Sequence, residues 1–485
     1  MLKTSTSTLL LCFFSFTKVI YGQIDSIGGK NLYFDGSTSY VDTKDTSLYS
    51  KFTVECWVKS PNAPSSAQGK GPVHYEKNFQ INWDHVSSGA RNALVINATT
   101  GGWTGATFGP LEGNTWYHLA GTYDGDTLRT YTNGRLVTEK IINGGSPVRE
   151  EYSLKIGKHA KLSGSQEFFN GAVDEVRIWN VARSGDEIRK NMYHPLAGIE
   201  AGLKHYYQFN EMQIQDDSTK NLATGSWAPI VNNPEKRASE FPFGKGNSQV
   251  FQVNANAPNF FSAPPAGLVT LQTDSANRSF PLLFTRINTS FYGTKPDSIQ
   301  YKSQSFPYWI IQPLDTGLRF KSDYLRLDMS SLIPEFTVVV SEPNQLKVFN
   351  RPQNSVGDWT LVDTCSMIAF GSGHYIFSGF EAGQMAVGVP LSLVSVDKNV
   401  KQSSLKMRLR YENDSRTIRV ERTEGLQDFS LMDMQGRKIQ RWEVPNTGSD
   451  NLERFLTVSN PIPKGIYLLK GQGNGRLKVG KVWVE

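Results

Sequence analysis

The stretch Gly171–Ile188, GAVDEVRIWNVARSGDEI, constrains this 485-residue chain more than any other. Val173, Val176, Ile178 and Trp179 are β-branched or aromatic and Gly171 stands before them as a breaker, so the stretch opens as a strand. The chain then turns through Asn180–Arg183. Ser184 precedes Glu187 by three residues, the spacing of a capping box, which predicts a short helix from that point. Asp174 and Glu175 are adjacent within the strand, and strict alternation points them to opposite faces. A pair of catalytic carboxylates on one strand needs an i, i+2 or i, i+4 spacing, so this acidic pair reads as scaffold rather than as a glycosidase dyad.

The same strand signals recur through the first half of the chain. Phe52, Val54, Cys56 and Val58 alternate with Thr53, Glu55 and Trp57, giving one apolar face. Trp116–Tyr123 is apolar on both faces, as an inner strand of a sandwich would be. Leu128–Thr132 and Arg135–Val137 flank Asn133-Gly134, a pair that tolerates the positive φ angles of a type I′ hairpin turn. With 43 Gly, 23 Pro and 12% aromatics, the composition suits an all-β chain with many turns. Leu32-Tyr33-Phe34-Asp35-Gly36, Phe52–Val58, Trp116–Gly134, Gly171–Ile188 and Ala201–Asn210 occur in an order and wording that resembles the laminin-G-like jelly-rolls of the concanavalin-A-like lectin, glucanase and pentraxin group. The resemblance spans about residues 28–228 and implies a jelly-roll of two antiparallel sheets.

The expected fold class is all-β: a jelly-roll sandwich, then a second β-sandwich module, then a small Ig-like C-terminal β-sandwich. Residues 1–22 read as a secretory signal peptide, with a basic start, an apolar Leu9–Phe16 run and Gly22 at the cleavage point. Residues 229–248 are polar with Pro and Gly and read as a linker. Residues 249–392 hold short β-type runs between turn signals and read as a middle β-sandwich of no recognised family. Within residues 403–485, FSLMDMQGRKI, IPKGIYLLK and the terminal KVGKVWV resemble the C-terminal sorting domain of the type IX secretion system of Bacteroidetes. The match departs where that family usually begins with Asn-Pro, since this chain reads Tyr411-Glu412-Asn413-Asp414; a purely structural Ig-like sandwich is the alternative. The implied localisation is secreted, or the outer-membrane cell surface, with the type IX machinery as a partner.

Other bulk properties exclude more than they assign. The net charge of +6 is carried by residues 401–485, with 16 Lys and Arg against 10 Asp and Glu. No basic run with interleaved aromatics suggests nucleic acid, and no apolar run approaches the roughly 20 residues of a membrane span. Past the signal peptide only Cys56 and Cys365 remain, in separate units, and they read as buried thiols rather than a disulfide.

No glucanase carboxylate pattern, HExxH, GxSxG or phosphate loop occurs, so the chain reads as a non-catalytic binding protein. The expected ligand is a glycan or an extracellular protein. The candidate contacts are Trp83, Asp84, His85, Arg91, Asn92 and Trp103, a mixture of aromatic faces and planar hydrogen-bonding groups of the kind that hold sugars; packing roles for both tryptophans are the alternative. The resemblance also implies a structural calcium ion between the first and last core strands, with Asp35 and Asp174 as ligands; the alternative has Asp35 capping its turn and Asp174 bonded to backbone. A structural or adhesive protein without a small ligand, and an accessory part of a polysaccharide hydrolase, remain the other two functional readings.

Overall fold

The computed structural model describes residues 29–65, 70–76, 78–84, 92–99, 102–142, 145–148, 151–160, 167–212, 217–255, 259–262, 269–273, 278–289, 308–315, 321–322, 324–328, 347–364, 367–369, 374–377, 380–388, 408–412, 415–421, 426–433, 438–443, 453–473 and 476–484. Residues 1–22, read above as a signal peptide, and His85, Arg91 and Cys365 therefore lie outside the described residues.

The first unit carries strands β1 (Lys30–Asp35), β2 (Tyr40–Asp42), β3 (Phe52–Lys59), β4 (Val73–Tyr75), β5 (Phe79–Asn82), β6 (Ala93–Ala98), β7 (Gly102–Ala106) and β8 (Tyr117–Tyr123). They are followed by β9 (Thr127–Thr132), β10 (Arg135–Ile141), β11 (Lys155–Ile156), β12 (Asn170–Trp179), helix α1 (Gly185–Asn191), β13 (Leu203–Tyr207), β14 (Ser218–Lys220), β15 (Trp227–Val231) and β16 (Glu235–Ala238). The first sheet runs β10-β9-β8-β3-β12-β1-β16, with β13 pairing the second half of β12 beyond the end of β1. The second runs β14-β15-β2-β11-β4-β5-β6-β7. Phe52, Val54, Cys56 and Val58 of β3, Val173, Val176 and Ile178 of β12, Ile81 of β5 and Leu94 of β6 meet in one core between the sheets. The alternation of β3 is thus realised with its apolar face inward, and Cys56 is a buried free thiol. The hairpin turn has Asn133 at φ 50° and Gly134 at φ 75°, as a type I′ turn requires. Helix α1 starts with the reciprocal Ser184–Glu187 capping box.

Two readings from sequence change. The stretch 229–248 holds three strands: the end of β15 pairs with β2, β16 pairs with β1, and Gly246–Val253 begins the next sheet. Its polar residues are those of edge strands, where one side of the backbone meets water, so composition alone resembles a linker. Asp174 and Glu175 also do not point to opposite faces. Asp174 pairs with Trp57 and Arg177 with Glu55, which leaves one extra residue on β12, a bulge, and Glu175 takes φ +48° there. Val173 and Val176 stay in the core while Asp174, Glu175 and Arg177 all face outward.

The middle unit is a six-stranded antiparallel sheet beginning at Gly246–Val253 and a five-stranded sheet that includes Val269–Thr273 and Tyr324–Asp328. The last unit pairs a three-stranded sheet around Thr417–Glu421 with a four-stranded sheet ending in Gly465–Gly473 and Arg476–Val484. The chain is all-β apart from α1 among the described residues, and no described helix is long and apolar enough to cross a membrane.

Candidate functional site

Register decides which side chains the second sheet presents. With Val73, Tyr75, Phe79, Ile81, Leu94 and Ile96 directed into the core, the intervening residues face away from it. Cross-strand pairing then sets Asp42, Lys155, His74, Gln80 and Val95 in one row across β2, β11, β4, β5 and β6. A neighbouring row pairs Asn97 with Trp103 at the sheet edge formed by β7.

The middle of this face is polar and buried. Lys155 Nζ lies 2.7 Å from Asp42 Oδ2, and Lys44 Nζ is 2.6 Å from the same oxygen. Burial by itself would raise the Asp42 carboxyl; hydrogen bonds from Lys155, Lys44 and Ser153 outweigh it and hold the group well below the usual carboxylate range. His74 is fully buried, which pushes its imidazole well below the ordinary histidine value and keeps it neutral. The amide atoms Asn78 Oδ1 and Nδ2, Gln80 Nε2 and Asn82 Oδ1, together with His74 Nε2, are buried without a hydrogen-bond partner. Such a concentration of unpaired polar atoms is unusual in a folded protein.

The edges of the face are open. Trp103 is 51% exposed. Its cross-strand neighbour Asn97 stands within about 5 Å at Cβ. Gly105 lies two residues on, on the same face, and brings no side chain beside the indole. Lys140, from the neighbouring β10, donates from Nζ to Thr104 Oγ1 at 2.8 Å and to the Gly105 carbonyl at 3.3 Å. The result is an aromatic platform with an amide at its border, chemistry suited to a hydroxylated ring, while Lys140 fastens the edge strand from the Thr104 side.

The structure divides the residues singled out in the sequence. Trp83 belongs to the core and donates from Nε1 to the Asn62 carbonyl at 3.0 Å. Asn92 is buried, donating to the Gly109 carbonyl and accepting from the Phe108 amide, so it fastens the chain that follows β7. Asp84 accepts from the Ser65 amide at 2.8 Å and anchors a loop. Trp103 is the one of these that presents an open apolar surface among the described residues.

Asp35 and Asp174 do not form a common ion site. Asp35 pairs with Asn170, so about 13 Å of strand separates it from Asp174. Asp35 accepts hydrogen bonds from the amides of Ser37, Thr38 and Ser39 and from the hydroxyls of Thr38 and Ser39, which satisfy it within its own turn and, against burial, lower its carboxyl. Asp174 is bonded to the Glu175 amide and to Ser239 Oγ beneath the outer layer. Burial and the Glu175 charge push Asp174 well above the ordinary range; burial raises Glu175 as well, opposed by Arg177 2.9 Å away. Asp35 and Asp174 therefore lie too far apart to ligate one ion together.

The buried polar cluster that sequence reasoning did not single out is His74, Glu76, Asn78, Gln80 and Asn82. Their signal was the alternation of VHY and FQIN, which places His74, Gln80 and Asn82 on one face but reads as an ordinary solvated strand surface.

Among known proteins, residues 35–189 match the sequence family described as the concanavalin A-like lectin/glucanases superfamily, Laminin_G_3. No curated protein matches the chain. Among solved structures, a protein from Bacteroides ovatus ATCC 8483 proposed to bind carbohydrate is 22% identical, with a TM-score of 0.36 over 44% of this chain and 61% of that one. Domain 4 of AbnA, an extracellular arabinanase from Geobacillus stearothermophilus solved with arabinotriose, is 20% identical, with a TM-score of 0.27 over 34% of this chain and 77% of that one. A heptameric SAP-like pentraxin from Limulus polyphemus is 14% identical, with a TM-score of 0.23 over 33% and 80%.

Proposed function

We propose that this is a secreted or cell-surface, non-catalytic protein whose jelly-roll recognises carbohydrate at the Trp103 edge of its second sheet. The observation that carries this reading is the exposed Trp103 beside Asn97 on a rigid edge strand. The match of residues 35–189 to a lectin and glucanase superfamily supports the substrate class. A sugar's C–H face would stack on the indole, with Asn97 taking its hydroxyls, and binding to a preformed surface would cost little ordering. The paired carboxylates of the first sheet are sealed from solvent, which supports a role without hydrolysis.

The test is binding to an array of polysaccharides, repeated with Trp103→Ala. Affinity should fall by at least about tenfold while the melting temperature holds, because half of the indole is already in water. Binding unchanged by the substitution, or no glycan bound at all, overturns the site and favours the structural or adhesive reading. Release of reducing ends from any bound polysaccharide overturns the non-catalytic part. Export through the signal peptide and the type IX machinery rests on the motifs in residues 1–22 and 403–485. Deleting residues 403–485 should abolish surface delivery; a truncated chain still found at the surface refutes the sorting role.

A further inference from the structure

The polar centre of the second sheet meets two segments from later in the chain. Pairing of β11 with β4 brings residues 157–160 and 167–169 beside the β4–β5 turn, and the His159 amide donates to the Glu167 carbonyl between those two segments. Three metal-ligating side chains converge there, and Glu167 stands beside one of them. Nitrogen or carboxylate atoms of His74, Glu76 and His159 all lie within 4.8 Å of one another. His159 Nε2 is 3.7 Å from Glu76 Oε2 and 3.9 Å from Glu167 Oε2.

Those separations are too long for charge-assisted hydrogen bonds, which close to about 2.7–2.9 Å. They suit donors around one ion. Two donors at about 2.1 Å from a zinc-class ion stand about 3.4 Å apart at the tetrahedral angle and about 4.2 Å apart at most. His74 supplies an independent observation. It is fully buried, its ring lies tilted by 39° against that of His159 with centroids 3.7 Å apart, and its Nε2 makes no hydrogen bond of normal geometry. The Ala160 amide donates to His74 Nδ1 at 3.0 Å, so the neutral ring carries its proton on Nε2. That N–H is a buried donor, suited to hold a ligand carboxylate or a metal-bound water rather than to bind the ion itself.

We propose that Glu76, His159 and Glu167 bind one divalent transition-metal ion of the zinc class, with the Nε2–H of His74 orienting a ligand oxygen. Imidazole with carboxylates selects such an ion over calcium, which takes six to eight oxygens. Glu76 and the neighbouring His74 come from one hairpin and His159 and Glu167 from the two later segments, so the ion would tie β4 to the chain after β11. The site is separate from the Trp103 platform, and its occupancy does not depend on the glycan reading.

Titration of the full, untagged chain with Zn2+, and with Co2+ as a spectroscopic probe, tests this. One equivalent should bind, with tetrahedral Co2+ absorption, and a tenfold excess of Ca2+ should not displace it. His159→Ala and Glu167→Gln should each weaken binding at least tenfold; both side chains reach the surface, so the fold is retained and circular dichroism checks it. His74→Gln should weaken binding about 10- to 100-fold without removing a ligand. Trp103→Ala should leave metal uptake unchanged. No saturable uptake at one equivalent, or uptake indifferent to both His159→Ala and Glu167→Gln, overturns the site.

Discussion

Glu55 and Asp174 face the same side of the first sheet on neighbouring strands, yet their surroundings shift their carboxyls in opposite directions. Burial alone would raise the Glu55 carboxyl. The His118 hydrogen bond and the Arg177 and Arg183 guanidiniums outweigh burial and bring it down to about 2. Burial pushes His118 below its ordinary value, so at neutral pH it is uncharged and the two arginines carry the compensation. A depressed acid stabilises the fold above its unfolded value of about 4.3 and loses that contribution as pH falls towards about 2, a swing of about 3 kcal/mol. Glu55→Gln should therefore cost about 3–5 kcal/mol at pH 7, because it leaves Trp179 Nε1 and Arg183 against a neutral group in a buried network. Asp174 is the reverse case. Its raised value contributes stability at low pH that is lost as pH rises through the folded value. Asp174→Asn should gain on the wild type as pH rises from 4 to 8. Urea titrations from about pH 2 to pH 8 check both, and parallel pH profiles for the two variants would refute the assignment.

At the scale of elements, the strongest local signals produced what they imply. The capping box of α1 and the Asn133-Gly134 turn are set by side chains within four residues, so tertiary context had little to add. Ser184→Ala should cost about 1 kcal/mol in chemical denaturation. It frees the first-turn amide of a helix whose Ile188 packs against Ala120 and Tyr131. A loss below about 0.3 kcal/mol would show that packing alone holds α1. Period-two arguments worked for β3, where Cys56 proved to be core, and failed at the β12 bulge, where one inserted residue turned an acidic pair to the same side. For Trp83 the structure takes the packing alternative. Polar neighbours suggested a loop, but Lys70 takes the Trp83 amide and holds the indole against the core.

Across the whole molecule, the outer face of the first sheet is a second interior. Trp57, Trp116, Met192 and Tyr193 of the jelly-roll meet Leu283, Ile287, Tyr308 and Ile310 of the middle sheet, with Phe241 and Phe243 between them. Phe241 stacks on Trp57 at a centroid distance of 4.4 Å and an interplanar angle of 15°. Gln312 Nε2 donates to the Asn133 carbonyl at 2.6 Å, and Asn354 Nδ2 to the Trp116 carbonyl at 2.7 Å. Phe241→Ala should cost about 3–5 kcal/mol and split the jelly-roll and middle unit into separate calorimetric transitions. A single unchanged transition would mean that the two units are not coupled there. The amino-acid sequence by itself determined the jelly-roll, its inward faces, its hairpin turn and its capped helix, because each rests on contacts or dihedrals within a few residues and on a repeating apolar period. Only the tertiary structure decided which polar faces are buried. His74 and His159 are 85 positions apart, as are Trp57 and Phe241 by 184, and chain folding rather than local pattern brings such pairs into contact. For the same reason the acidic pair, the supposed linker and the Trp103 edge took their roles from partners that no local stretch of sequence contains.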